Sequence, residues 1–174
     1  MNNTITETNA LSLLNTAVKV AISNWELQNT RLNTLLDKLT DEQLAAQTAP
    51  GRNSGVYLLG HLTAVSDNMF TYLELGERLH PELDNLFLKN PEAAELERPS
   101  IVELKAYWAQ VNTLLKQKME ALPAEAWFGK HSAVSADDFE RESHRNKLNI
   151  LINRTIHQGY HLGQLIYLLS KTNA

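Results

Sequence analysis

The sequence predicts an all-α protein: a four-helix bundle with up-down-down-up topology and a long crossover between helices 2 and 3. Four long segments carry helical periodicity, and none carries the sustained alternation of a strand. The connection after the second segment is far longer than the about 2–8 residues usual between neighbouring antiparallel helices. A length of 174 residues suits one domain spanning residues 1–174.

The first two helices follow from their apolar stripes and their end signals. Helix 1 is predicted from about Glu7 to Leu39, because apolar residues recur at close to heptad spacing. Its stripe consists of Leu11, Leu14, Val18, Ile22, Trp25, Leu32 and Leu36. Helix 2 is predicted to begin at Ser54, a good N-cap, and to continue to about Leu75, just before Gly76.

Helices 3 and 4 lie in the second half of the chain. Helix 3 is predicted to start after Pro99-Ser100 and to stop at Pro123, with the stripe Ile101, Leu104, Trp108, Val111, Leu115 and Met119. Helix 4 is predicted from about Ser143 to Ser170, with the stripe Leu148, Leu151, Ile152, Ile156, Leu165, Leu168 and Leu169. The connection over residues 76–99 is long enough to return the chain to the opposite end of the bundle.

Composition excludes several classes of function. The chain has no cysteine, so it can form no disulfide and supply no thiolate ligand or thiol nucleophile, and any thiol must come from outside. The net charge is -4 without a basic run, which argues against nucleic acid as a partner. A signal-peptide pattern and an apolar run of roughly 20 residues are both lacking, so we expect a soluble cytoplasmic protein that does not bind membranes.

Two histidines on helix 4 have the spacing of metal ligands. His157 and His161 are four residues apart, so they share one face of the helix about one turn apart. Two imidazoles bind one ion at this spacing in helical HExxH sites, but Gln158 stands where those sites have their glutamate. The general base of a metalloprotease is therefore missing. A pair of histidines without a ligand role remains an open alternative at this point.

A third histidine falls at a matching height. His61 is about 10 Å along helix 2 from Ser54, and His161 is about 13 Å before the end of helix 4 at Ser170. If these two helices are antiparallel, all three rings lie at similar heights, whereas a parallel arrangement matches less well. The histidines and the long crossover thus favour the same topology. Three neutral imidazoles suit Zn, Ni, Fe or Cu and leave coordination positions open for water or substrate.

With these residues placed, the chain resembles the DinB-like (YfiT-type) family over its whole length. The specific part is the string from His157 to Leu165, and Gly60-His61-Leu62 adds to it. The resemblance implies a metal-binding bundle with His61, His157 and His161 as ligands of a divalent transition metal (Zn, Ni, Fe or Mn), and a homodimer. Members often carry Trp-Ser where this chain has Asn53-Ser54, which concerns the shape of the pocket rather than the ligands.

The resemblance also implies a function. The family includes metal-dependent transferases and isomerases that use low-molecular-weight thiols, beside many members without an assigned activity. We therefore expect a metal-dependent transferase acting on a small-molecule substrate with such a thiol. One alternative is a metal-containing binding or stress-related protein without turnover. Another is a structural bundle whose histidines only stabilise the fold, and the sequence identifies no further catalytic residue.

Several other positions carry weaker expectations. Gln164 could orient a ligand ring or bond a metal-bound water, although a buried, internally satisfied amide is at least as frequent. Arg52, just before helix 2, could meet an anionic substrate or thiol carboxylate, but a plain surface arginine is the commoner case. Asp67 is about 600° around the helix from His61 and is not expected to be a ligand. Three further histidines are expected to be solvated without a ligand role: His80, His131 and His144. Two glycines inside helix 4, Gly159 and Gly163, are expected to allow the close approach of a neighbouring helix.

Overall fold

The computed structural model describes residues 2–94 and 96–173. Within them it contains seven α-helices and no strand. The α-helices are α1 (Asn2–Leu36), α2 (Asp41–Ala45), α3 (Gly55–Tyr72), α4 (Leu83–Phe87), α5 (Ile101–Ala121), α6 (Ala136–Arg141) and α7 (Lys147–Leu165). Three short 3-10 helices cover Glu92–Ala94, Ala124–Phe128 and Ile166–Asn173. The four long helices are the four that the periodicity predicts.

Two core clusters show which way each long helix runs. The upper cluster joins the end of α1, the starts of α3 and α5 and the end of α7, through Leu36, Leu59, Leu104 and Leu165 among others. The lower cluster joins the opposite ends of the same helices, through Val18, Phe70, Leu115 and Leu151 among others. Helices α1 and α7 therefore run one way and α3 and α5 the other. The up-down-down-up topology is confirmed, with α3 packed between α5 and α7.

Side-chain caps decide most of the helix starts. The hydroxyls of Ser54 and Ser100 accept from the third backbone N–H of α3 and α5. The Ser54 cap and the start of α5 directly after Ser100 are as predicted. Helix α7 begins four residues later than predicted, because Asn146 is its cap. It becomes a 3-10 helix after Leu165, five residues before the predicted end. Helix α1 begins earlier than predicted, at Asn2, and ends three residues sooner, at Leu36.

The crossover between α3 and α5 is anchored on one buried carboxylate. Asp67, with 0% of its surface exposed, accepts hydrogen bonds from the Arg78 guanidinium at 3.0 Å and from the backbone N–H groups of Leu79 and His80 at 2.8 and 3.1 Å. Arg78 also pairs with Asp84 at 2.7 Å. These contacts direct the chain back into α4, whose Phe87 enters the upper cluster. Asp67 thus has a structural partner and lies outside the histidine cluster, as expected.

Part of the predicted apolar stripe does not reach the core. Leu11, Ile152, Ile156 and Leu169 are exposed, although the periodicity places them with the buried residues of α1 and α7. Both helices present apolar residues on more of their circumference than the bundle covers. Of these residues, Ile152 and Ile156 line an open apolar groove of about 540 Å³ between the two helices. Among the described helices, none combines the length and the hydropathy needed to span a bilayer.

The expectation that three histidines are solvated is wrong for two of them. His131 is buried, and its Nδ1 accepts from the backbone N–H of Ala133 at 3.2 Å. The His80 ring stacks on Tyr107 with centroids 3.9 Å apart. Only His144 is exposed. Loop positions can be covered by packing between distant segments, which local sequence does not reveal. As expected, none of the three belongs to the histidine cluster.

Candidate metal centre

The antiparallel helices α3 and α7 bring His61, His157 and His161 together. The Nε2 atom of His157 lies 3.2 Å from Nε2 of His61 and 3.0 Å from Nε2 of His161. The three rings meet edge to face or tilted, with centroids 4.5–5.1 Å apart. All three residues are half-buried. The prediction that the three rings lie at similar heights on two antiparallel helices is therefore confirmed.

The orientation of His61 depends on the crossover. Its Nδ1–H donates to the backbone carbonyl of Phe87 at 3.1 Å, which leaves the Nε2 lone pair facing the other two rings. Phe87 is the last residue of α4 and packs directly over Gly60, where an added Cβ would lie 2.3 Å from the Phe87 ring. Sequence reasoning missed Phe87, since a backbone acceptor 26 residues away leaves no local signal.

The glycines of α7 do not have the role that we expected. An added Cβ at Gly163 meets nothing within 4 Å, and one at Gly159 only reaches ordinary contact with Gln28 at 3.8 Å. Within the described residues, therefore, no helix needs these two glycines for close approach. The glycine that does admit a neighbouring element beside the ligands is Gly60.

Gln164 fixes the orientation of His161. Its Oε1 accepts from Nδ1–H of His161 at 2.7 Å, and its Nε2 donates to the Tyr160 hydroxyl at 3.2 Å. The Tyr160 ring lies against the His161 ring with centroids 5.1 Å apart. Of the alternatives weighed for Gln164, the structure shows the one in which the amide orients a ring. His161 is thereby held, like His61, with Nε2 free to accept.

Burial keeps the three imidazoles neutral. Desolvation, followed by the neighbouring His161, His61 and Arg154, lowers the pKa of His157 to about 4. Desolvation also lowers the pKa of His61 and of His161. Because only a neutral imidazole can bind a metal ion, all three side chains are in the ligand form at neutral pH.

The cluster has the features of a cation site. Hydrogen bonds at Nδ1 make Nε2 of His61 and His161 acceptors, so two lone pairs face His157 and its Nε2 can donate to only one of them. In addition, Nδ1 of His157 is buried without a hydrogen-bond partner among the described residues. The two Nε2 separations at His157, 3.2 and 3.0 Å, are close to the about 3.3 Å edge of a tetrahedron with Zn–N bonds of about 2.0–2.1 Å. The three histidines could therefore hold a metal ion.

A polar cavity of about 270 Å³ lies beside His161. Gln164 and Tyr160 form one wall, and Arg52 and Asn53, from the loop before α3, form another. Arg52 is exposed and reaches the cavity from its rim. Asn53 occupies the position where the related family often has tryptophan, so that departure alters the cavity wall. The site thus combines a possible cation, a polar cavity and a guanidinium.

Replacing Gly60 by alanine is expected to destabilise the protein by about 1–3 kcal/mol, because the new methyl group would displace the buried Phe87 ring. Urea unfolding of the wild type and the variant measures the difference. A second change, Phe87→Leu, makes room for the methyl group and is expected to cost less in the Gly60→Ala background than in the wild type. Equal costs in both backgrounds would contradict the contact.

Fold and site together define a helical-bundle protein in which three histidines from two antiparallel helices could bind a metal ion. The chain belongs to the DinB superfamily, whose family model matches residues 24–165. The matched region contains all three histidines, the whole of α3, α5 and α7, and the C-terminal part of α1. The resemblance inferred from the histidine motifs is confirmed. No curated protein matches the chain in sequence.

Proposed function

We propose that the protein is a metal-dependent transferase that uses a low-molecular-weight thiol as cosubstrate. The observation that carries this proposal is the convergence of three neutral imidazoles, one of which, His161, lines a polar cavity. His61, His157 and His161 would hold the ion. When bound, a divalent ion would supply an open coordination position and a positive charge that lowers the pKa of a nearby thiol.

The cavity fits a small polar cosubstrate. Its volume of about 270 Å³ is below the roughly 300–1,000 Å³ of pockets for drug-sized ligands. Arg52 at the rim offers a planar guanidinium that can bind a carboxylate through two parallel hydrogen bonds. We infer that the thiol carries a carboxylate, which Arg52 binds while the sulfur lies towards His161. An external thiol is also consistent with a chain that has no cysteine.

The reaction transfers an electrophilic group to sulfur. The thiol loses its proton to solvent, the sulfur forms a bond to the electrophilic carbon, and the bond from that carbon to its leaving group breaks with both electrons on the leaving group. The residues of the chain position the partners. Gln164 keeps the His161 ring in place, and Arg52 holds the carboxylate end of the thiol.

Turnover with matched thiols tests the proposal. Protein loaded separately with Zn²⁺, Ni²⁺, Fe²⁺ or Mn²⁺ is mixed with chlorodinitrobenzene and either mercaptopropionate or mercaptoethanol, and chloride release is followed. We expect metal-dependent turnover with a preference for the carboxylated thiol. In Arg52→Gln that preference is expected to fall about tenfold, while the rate with mercaptoethanol stays the same, since only the carboxylate contact is lost.

The contrary outcomes are distinct. Absence of metal-dependent turnover with either thiol overturns the transferase proposal. Thermal shifts with thiol but no product would replace it with the metal-containing binding protein. An unchanged thiol preference in Arg52→Gln would show that Arg52 does not bind the thiol. The transferase proposal would then be supported by the metal dependence of turnover alone.

A further inference from the structure

Helices α1 and α5 border a polar cleft of about 260 Å³, on the side of the bundle opposite the contact between α3 and α7. Each helix contributes five residues at the spacing i, i+1, i+4, i+5 and i+8, starting from Trp25 on α1 and from Trp108 on α5. Residues at this spacing share one face of a helix. The cleft has no lining residue in common with the cavity beside His161. We call it the α1/α5 cleft.

Two contacts between the helices mark the ends of the α1/α5 cleft. At one end, Nζ of Lys116 lies 2.8 Å from Oε1 of Glu26. At the other end, Nε1–H of Trp108 donates to Oδ1 of Asn33 at 2.8 Å. Because the two helices are antiparallel, these contacts fix which residues of α1 and α5 face each other.

Two asparagines lie between these contacts. Asn29 on α1 is three residues after Glu26 and four before Asn33, and Asn112 on α5 is four residues from both Trp108 and Lys116. Each asparagine is therefore about one turn from either contact, which places the two at the same height. Both side chains line the cleft, and the two residues are only 9% and 8% exposed.

Each asparagine keeps one end of its amide free. Nδ2 of Asn112 donates to the backbone carbonyl of Trp108 at 2.8 Å, while its Oδ1 is buried without a hydrogen-bond partner among the described residues. Oδ1 of Asn29 accepts from Nε2 of Gln158 at 2.8 Å, and Nδ2 of Asn29 has no acceptor in the described part of the chain. A buried acceptor without a donor is unfavourable and rare in native proteins, so it indicates a missing partner.

The two free groups are complementary to an amide. A carboxamide or lactam offers its carbonyl oxygen to Nδ2 of Asn29 and its N–H to Oδ1 of Asn112. A carboxylate lacks the donor, and an ammonium group lacks the acceptor. Trp25 and Trp108 line opposite ends of the cleft and supply aromatic surface against which a planar ring can pack.

We propose that the α1/α5 cleft binds a small, uncharged, planar molecule through a carboxamide or lactam edge, which Asn29 and Asn112 recognise. The volume of about 260 Å³ is below the roughly 300–1,000 Å³ of pockets for drug-sized ligands, which favours a ligand of about one ring with its amide group. The proposal concerns a second site and does not depend on the metal or on the transferase activity.

A titration followed by ¹H–¹⁵N nuclear magnetic resonance tests the proposal, with nicotinamide as the probe at up to about 20 mM. The chain has three tryptophans, whose indole N–H signals are assigned by single replacements with phenylalanine. The signals of Trp25 and Trp108 are expected to shift until they saturate. The signal of Trp127, which lies outside the cleft, is expected to stay in place.

Matched ligands test the amide contacts on the wild-type protein. N,N-dimethylnicotinamide keeps the carbonyl but has no N–H, and nicotinate carries a carboxylate in place of the amide. Each is expected to bind at least about tenfold more weakly than nicotinamide, because Oδ1 of Asn112 stays without a donor.

A matched pair of variants tests the residue. Asn112→Leu keeps the size of the side chain but removes the free acceptor, and its Kd for nicotinamide is expected to rise at least about tenfold. Asn24→Leu is the control, since Nδ2 of Asn24 makes the same kind of bond, to the Val20 carbonyl at 2.9 Å, outside the cleft. It should bind nicotinamide like the wild type.

Three results would each overturn the proposal. The first is a wild type whose Trp108 signal does not shift at up to about 20 mM nicotinamide. The second is equal affinity for nicotinamide and for both ligands that lack the N–H. The third is unchanged affinity in Asn112→Leu with the helical circular dichroism of the wild type. If that variant does not fold, the three ligands on the wild type decide.

Discussion

Replacing His157 by alanine is expected to lower the metal content of the purified protein from about one equivalent per chain to below about one tenth. His157 is the histidine whose Nε2 lies within 3.2 Å of both others, so its loss separates the remaining two nitrogens from their common neighbour. Removing residues that only orient a ligand already costs about 10–100-fold in metal affinity, and removal of a ligand should cost at least 100-fold.

Elemental analysis of tag-free protein, purified without chelators or a nickel column, measures this effect. His144→Ala is the matched control, because His144 is exposed and lies outside the cluster. It should retain the full metal content. Wild-type protein that neither contains metal nor takes up Zn²⁺, Ni²⁺, Fe²⁺ or Mn²⁺ would refute the metal site. Undiminished metal in the His157 variant would exclude this residue as a ligand.

Replacing Asp67 by alanine is expected to lower the free energy of unfolding by about 3–5 kcal/mol, the usual cost of breaking a buried ion pair. The change leaves the Arg78 guanidinium without one of its two carboxylates and deprives the N–H groups of Leu79 and His80 of their acceptor. Because the crossover carries the Phe87 carbonyl that orients His61, loosening it should also weaken metal binding.

Urea unfolding with and without added Zn²⁺ measures both consequences. The exposed pair between Asp41 and Lys105 provides a control, since Asp41→Ala should cost less than about 1 kcal/mol. A cost below about 1 kcal/mol for Asp67→Ala would show that the crossover does not depend on this carboxylate. Unchanged Zn²⁺ affinity would show that metal binding does not depend on the crossover.

The histidine cluster could be predicted because it depends on two regular features. The spacing of His157 and His161 follows from the pitch of one helix, and the height of His61 follows from the rise of another. The long crossover then selects the antiparallel arrangement of α3 and α7 that joins them. Helix starts at Ser54 and Ser100 were predictable for a similar reason, since a cap acts within three residues.

Errors in the prediction have a common origin. The apolar periodicity of α7 places Ile152 and Ile156 with the core. Periodicity does not show, however, how many other helices pack against α7. The burial of His131 was missed because its cover comes from packing between distant segments. Gly159 and Gly163 were expected to destabilise helix 4 and therefore to mark a closely packed helix. In the described part of the chain no helix packs closely against either glycine.

The four long helices, the Ser54 cap, the family and the three histidines could be read from the sequence alone, because each depends on a periodicity, a local contact or a motif. Three features appear only in the folded chain: the Phe87 carbonyl orients His61, Arg52 and Gln164 border one cavity, and Ile152 and Ile156 stay exposed. These features join residues from different segments, and side-chain packing between segments sets them. Local sequence constrains such packing only weakly, since many distant pairings satisfy the same helical pattern.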